Sequence, residues 1–283
     1  MCVKTQHYWR DSALPFVELR SSYASLQAYK PHFHSELSFG AVITGVTRAS
    51  CSGRQSLLRQ GDLVLIAPYA VHACNPVAER PRSYHMLYLD EAWCIENVSA
   101  LRGRSLAGVS GEMSLVRDEG LFAQYLQFVM HLPHLHATEA AAQLQRLLTA
   151  ALDSSRPAPS SRQGAPLAER IKKALLERSE SRATLDEVAR AFGCRKETLI
   201  RVFRRAFHTT PHAFANNARI EQAKQRLKAG EEIADVAVDL GFSDQAQLHR
   251  TFVSYTASTP GQYRCARSKP SVNFRQELPA APR

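Results

Sequence analysis

The sequence predicts an α+β protein in two parts, a small β-rich domain ending in a helical pair and then an all-α domain. Three observations carry this. Residues 14–90 alternate short β-prone runs with turn signals, as in LSFGAVITGV, GDLVLIAP and SYHMLYL. The composition breaks at DSSRPAPSSRQGAP (153–166), which is rich in Ser, Pro, Arg and Gly and has no apolar period. Beyond it almost every segment has the three- and four-residue apolar spacing of helices, and one helical unit occurs twice. The division that follows is a domain at 1–152, a linker at 153–166 and a second domain at 167–283.

Bulk properties narrow the class. The 283 residues suffice for two ordinary domains, and 45% hydrophobic with 22% charged residues is the balance of a soluble globular chain. No apolar run reaches membrane-spanning length, and MCVKTQHYWR lacks the apolar core of a secretory signal, so the expected compartment is the cytoplasm, with no membrane partner. The six cysteines (2, 51, 74, 94, 194, 265) form no CxxC pair. They read as reduced, structural thiols, and neither Cys74 nor Cys94 sits in the basic setting a redox sensor needs. The net charge of +10 is uneven: residues 165–283 hold 21 Lys/Arg against 13 Asp/Glu, and residues 1–164 hold 15 against 13. A basic C-terminal part suggests a polyanion, most often nucleic acid.

The elements follow in order. After the β-rich stretch, GLFAQYLQFVMHL and TEAAAQLQRLLTAALD put apolar residues on one helical face each, with a break between them. These stripes suit ordinary packing against the β-domain. Past the linker, LDEVARAFGCRKETLIRVFRRAFHTTPHAF (185–214) is echoed by IADVAVDLGFSDQAQLHRTFVSYTASTPGQY (233–263). Leu185, Val188, Ala189 and Gly193 match Ile233, Val236, Ala237 and Gly241; Leu199, Arg201 and Phe203 match Leu248, Arg250 and Phe252. In each copy a short helix ends at a glycine and a second helix follows within a few residues, a helix-turn-helix signature. Ser243 is the expected cap of the second copy's longer helix, and Thr210-Pro211 and Thr259-Pro260 each start a further helix. The connecting ANNARIEQAKQRLKAG reads as one helix of roughly 20–25 Å. That length could place two recognition helices in successive major grooves, about 34 Å apart.

Leu248 and Phe252 anchor one such helix, which leaves Gln245, Gln247 and Arg250 outward; Leu199 and Phe203 anchor the other, leaving Glu197, Thr198, Ile200 and Arg201 outward, with Arg204 and Arg205 suited to phosphates. Arg can bridge guanine, Gln adenine, and Glu can accept from cytosine. Each of these side chains would equally serve as an ordinary solvated helix surface.

At this point residues 170–265 resemble the AraC/XylS family of bacterial transcription regulators: VARAFG, GFSDQ, TFV and TPGQYR stand in that family's order and spacing. The resemblance implies base-reading positions at Glu197, Ile200 and Arg201 and at Gln245, Ala246 and Arg250. Three departures accompany it. Arg195 stands where the family has a capping Ser or Thr, Thr256-Ala257 where it has Phe-Gly, and His208 where it has Gly. In the N-terminal half, PHFHSELSFG (31–40) and GDLVLIAPYAVHACNP (61–76) resemble the two motifs of the cupin β-barrel, the common sensor half of such regulators. That resemblance implies a pocket lined by His32, His34, Glu36 and His72, a covering arm up to about residue 20, and a dimer surface on the two helices at 119–152. Three histidines and a glutamate suit zinc, iron or manganese. However, Glu36 lies closer to His34 than in cupin enzymes, and Ala67 and Tyr69 replace the second motif's Pro and Gly. The expectation is therefore a small organic effector, with no cofactor or metal.

The reading is a ligand-controlled, sequence-specific regulator of the activator kind, working on double-stranded DNA with RNA polymerase as partner and with a homodimer possible. The residues themselves leave open whether it activates or represses. Its rival is a metal-dependent cupin enzyme with a helical appendage, which would have no need of two recognition helices.

Overall fold

The computed structural model describes residues 6–102, 113–155, 166–177 and 184–265. The expected linker falls largely on 156–165, outside the described residues. The N-terminal part is built from strands β1 (Gln6–Trp9), β2 (Val17–Ser25), β3 (Leu37–Thr44), β4 (Val46–Cys51), β5 (Arg54–Arg59), β6 (Leu63–Ile66), β7 (His72–Pro76), β8 (Arg82–Leu89) and β9 (Met113–Val116). They form two antiparallel sheets, β1-β2-β8-β3-β6-β9 and β5-β4-β7. The expected closed barrel is not seen among the described residues. The parting lies at Gly45, whose φ of 79° turns the chain out of β3 and into β4. A Cβ there would lie 2.6 Å from the Pro81 carbonyl, so only glycine lets the strands approach at this corner. One isolated bridge, His32 with His72, joins the segment before β3 to the small sheet.

Helix α1 (Glu91–Arg102) precedes β9; α2 (Glu119–His131) and α3 (Ala137–Ser154) follow it, joined by a 3-10 turn at Leu132–His134. The stripes of α2 and α3 do not face outward. Leu121, Tyr125, Phe128, Leu144 and Leu148 are buried in one core with Leu37, Phe39 and Leu87 of the large sheet, and the Tyr125 hydroxyl donates to the Phe39 carbonyl at 2.9 Å. Packing within the chain thus accounts for the apolar face.

The C-terminal part holds α4 (Pro166–Glu177), α5 (Leu185–Ala191), α6 (Lys196–Phe207), α7 (Pro211–Lys228), α8 (Ile233–Asp239), α9 (Gln245–Thr256) and α10 (Pro260–Arg264). Local chemistry sets their ends. Thr184, Thr210 and Thr259 cap α5, α7 and α10, each accepting a backbone N–H with its side chain. Helix α9 is capped by Asp244, not Ser243: the Asp244 carboxylate accepts from Gln247 N at 2.6 Å. Arg195 begins α6 without a side-chain cap, as its departure from the family pattern implied. His208 and Ala257, which stand where the family has glycine, end α6 and α9 in the left-handed region at φ 53° and 55°.

Helix α7 serves two cores. Its first half joins α4, α5 and α6 through Phe214 and Ala218 against Ile171, Val188, Leu199 and Phe203. Its second half joins α8, α9 and α10 through Ile220, Ala223 and Leu227 against Val236, Leu248, Phe252 and Tyr263.

Candidate nucleic-acid interface and sensor cavity

The two repeats place α6 and α9 alike. Leu199 and Phe203, and Leu248 and Phe252, are fully buried, while Glu197, Arg201, Arg204 and Arg205 and then Gln245, Ala246, Gln247, His249 and Arg250 are exposed. Arg201 and Arg250 each lie two residues from both anchors, about 200° round the helix and so on the outer face. Thr198 and Ile200 are half-buried. Gln247 is partly engaged, because its carboxamide oxygen accepts from Ser243 N at 2.7 Å and closes a box with the Asp244 cap. The outer faces therefore offer donors suited to phosphates and base edges, with Arg201 and Arg250 unencumbered by ion pairs among the described residues.

The four effector-binding residues expected from sequence divide into two sites. His32, His34 and His72 line a cavity between the sheets; Glu36 does not. One nitrogen of each histidine lies within 4.8 Å of the others. Nδ1 of His32 faces the Lys30 carbonyl at 2.8 Å, and Nδ1 of His72 faces the Ala70 carbonyl at 2.9 Å. A nitrogen so close to a carbonyl carries the proton, leaving Nε2 as the bare acceptor in the neutral ring. Burial, reinforced by the neighbouring imidazoles, holds His32 well below the usual histidine range; burial and Lys224 do the same for His34, and burial lowers His72. The cavity measures about 40 Å³. A water needs roughly 10–15 Å³ on this measure, so the space holds only about three. Cys74 also lines it, and burial pushes this thiol up to about 12, as it does Cys94, which leaves both inert.

Two arginines that sequence reasoning missed share this cavity. Arg20 on β2 and Arg82 on β8 are 4% and 1% exposed. Arg20 donates to Gln6 Oε1 (2.9 Å), the Tyr29 hydroxyl (2.7 Å) and the carbonyl of Thr256 (2.8 Å), the last residue of α9. Arg82 donates to the carbonyls of Ser25, Gln27 and Cys74. The signal available was only that both lie on β-prone runs; nothing local marks an arginine as inward-facing.

Glu36 instead meets α7. Lys224 Nζ donates to both Glu221 carboxylate oxygens at 3.1 and 2.9 Å and stands 3.9 Å from Glu36; Lys228 bridges Glu18 at 3.0 Å and Glu36 at 3.4 Å. Burial pushes Glu36 up, but Lys224 and Lys228 prevail and hold it well below the carboxylate range; Glu18 is likewise lowered against burial by Lys228 and Arg10. Glu221 goes the other way, raised because burial outweighs Lys224. This ionic cluster borders a cleft of about 840 Å³ between the two parts.

The same seam carries apolar and backbone contacts. Phe33, flanked by two cavity histidines, points oppositely and enters the core of the helical part, its ring 4.5 Å from that of Phe214. Asn217 on α7 accepts from Phe33 N at 2.7 Å and donates to its carbonyl at 3.2 Å. The expected N-terminal arm is a pair of sheet strands whose side chains grip the residues around α10. The Tyr8 hydroxyl meets the Ser258 hydroxyl at 3.2 Å, and Arg10 donates to the Tyr263 carbonyl at 3.0 Å. Pairing of β1 with β2 holds this segment in the sheet.

A sheet domain joined to a helical domain with two outward polar helices is the build of a DNA-binding regulator. Comparison with known proteins agrees. Residues 188–266 match the family model described as a helix-turn-helix domain. The HTH-type transcriptional regulator YbfI of Bacillus subtilis (strain 168) is 25% identical over 237 residues, covering 79% of this chain and 82% of its own. The HTH-type transcriptional regulator MtrA of Neisseria gonorrhoeae is 27% identical over 91 residues, 32% of this chain and 30% of its own. Among solved structures, unsaturated fatty acid bound wild-type ToxT from Vibrio cholerae strain SCE256 has the same fold, with a TM-score of 0.61 at 11% identity over 91% of this chain and 98% of its own. The chain carries a helix-turn-helix domain at residues 188–266, and the relative it resembles over most of its length is named a transcription regulator. Among the described residues no helix is long and apolar enough to cross a membrane.

Proposed function

We propose that this protein reads DNA sequence through two helix-turn-helix units, α5–α6 and α8–α9, and acts as a ligand-controlled activator. The observation that carries the reading is the matched exposure of Arg201 and Arg250 on equivalent helices tied together by α7. Glu197, Thr198, Ile200 and Arg201 address one half-site and Gln245, Ala246, Gln247 and Arg250 the other, about one helical turn apart, with Arg204 on phosphate. The cupin-like part, residues 1–152, is the sensor, and 167–283 is the DNA-binding domain joined to it through the linker at 153–166. His32, His34 and His72 in the inner cavity and Glu36 at the cleft form the effector site. The fatty acid in ToxT supports the view that this architecture accommodates a small organic effector. Contact with RNA polymerase and pairing of two chains belong to the same reading by resemblance.

The control route runs through the seam. Residues 32 and 34 face the cavity while Phe33 and Asn217 lock α7, so a ligand that shifts the histidines shifts the helix common to both cores. Selecting DNA from a random pool with the full chain, with and without metabolite mixtures, tests this. A two-part motif spaced by one helical turn, with affinity altered by a mixture, is expected. Binding without sequence preference overturns the reading.

A further inference from the structure

The inner cavity is lined by two buried guanidinium groups and no carboxylate. Among the described residues neither Arg20 nor Arg82 has an acidic partner within salt-bridge distance; their acceptors are carbonyls, an amide and a phenol. Buried charge without a counter-ion is costly, and natural structures supply one. Among the described residues Arg20 donates through Nε and Nη2 only, and Arg82 Nε is buried with no partner. Beside these donors stand the bare Nε2 acceptors of His32 and His72. The cavity thus asks for a negative charge on one side and hydroxyl donors on the other, in a space of about 40 Å³. The histidine spacing alone would also suit a transition metal, but two unneutralised arginines set against a cation.

We propose that the sensor cavity binds a small hydroxycarboxylate, its carboxylate on Arg20 and Arg82 and its hydroxyl on His32 and His72, and that Arg20 transmits occupancy to α9. This deepens the ligand-controlled reading and rests on it. Arg20 holds the carbonyl of Thr256 with the same guanidinium that faces the cavity. A bound carboxylate draws charge-assisted hydrogen bonds from Arg20 and competes with that carbonyl, which loosens the C-terminal end of a recognition helix.

The test uses the full chain with glycolate, acetate, phosphate and Zn²⁺ as separate probes, read by calorimetry and by affinity for the selected DNA. Glycolate is expected to bind tighter than acetate and to change DNA affinity. Arg20→Gln should weaken glycolate by about ten- to 150-fold, the range for a charge-assisted pair. His72→Gln, which leaves the Thr256 contact in place, should erase the preference of glycolate over acetate, so the assignment is tested even if Arg20→Gln does not fold. Arg264→Gln, in the outer cleft, should bind glycolate as the parent does. Equal binding by Arg20→Gln, binding of phosphate alone, or one Zn²⁺ per chain lost in His72→Gln overturns the proposal. A response to some other metabolite with none to these anions refutes it while the ligand-controlled reading stands. Glycolate binding that leaves DNA affinity unchanged refutes the transmission through α9.

Discussion

Replacing Lys224 by methionine keeps the shape of the side chain and removes one charge from the seam. Lys224 is 4% exposed, and its ammonium is the chief partner of Glu221, itself 7% exposed. Without it Glu221 keeps Ser35, whose N and Oγ stand at 3.3 and 3.4 Å, and the His34 ring, whose Nδ1 lies 3.7 Å from Oε1. Removing one member of a buried pair costs about 3–5 kcal/mol, because the other charge is left desolvated. The cost should depend on pH with a definite sign. Glu221 is already raised above the ordinary carboxylate value, and losing Lys224 raises it further. A raised acid destabilises the fold at pH above its unfolded value of about 4.3. The gap between parent and variant should therefore be full at pH 7.5 and narrow as pH falls toward that value. Urea unfolding checks both claims, with Trp9 and Trp93 reporting the β-part and far-UV ellipticity following mainly the helical part. The double variant Glu221→Gln with Lys224→Met should recover much of the loss, since a neutral pair leaves no orphaned charge. A loss below about 1 kcal/mol, a loss indifferent to pH, or strict additivity in the double variant would refute the reasoning.

Arg201→Ala and Arg250→Ala should each lose about 1–3 kcal/mol on the selected site, and little on random DNA, while relaxing preference in different half-sites. Equal losses on both DNAs, with a salt slope smaller by about one, would assign them to phosphate instead. Ala257→Gly should stabilise the chain by up to about 1 kcal/mol in thermal or urea melts, because the residue ends α9 at φ 55°, where glycine is unstrained; a lower melting point counts against this. Burial lowers His85 to about 4. A base depressed in the folded state adds stability above its unfolded value of about 6.5 that is lost as pH falls toward 4, here up to about 3 kcal/mol. His85→Gln should flatten the stability curve between those limits, and an unchanged slope would show that His85 does not titrate there.

Much of the helical part was legible because its signals are local. A threonine before a proline, or a glycine after a short apolar period, acts within one turn, so Thr210, Thr259, Gly193 and Gly241 stand where the repeat put them. Even the error at α9 was local: Ser243 and Asp244 are both cap formers one residue apart, and the choice fell to Asp244 because Gln247 then closes the box onto Ser243 N. The β-part was less legible, since a strand's partners are set by the rest of the chain. Runs such as LSFGAVITGV foretold strands, but not that Gly45 would divide them between two sheets.

The seam between the parts was the least legible, and the reason lies in PHFHSE. Period-two alternation opposes Phe33 to His32 and His34, as observed, but it also groups Glu36 with the histidines, which the structure does not, and it says nothing of what each face meets. The β-domain alone would leave Phe33 in water. The helical part supplies its pocket, with Phe214 on one side and Asn217 closing the backbone. Likewise Arg20 in VELRSSYAS reads as an outward residue until the end of α9 arrives to accept from it. Both residues gain their role only when the two parts dock, and both stand next to the cavity. The cavity is lined by the β-part alone, but Arg20 in its wall and Phe33 beside it both reach the helical part. On the function proposed above, such docking gives ligand and DNA a short path to each other: from histidine through Phe33 to α7, and from Arg20 to the last turn of α9.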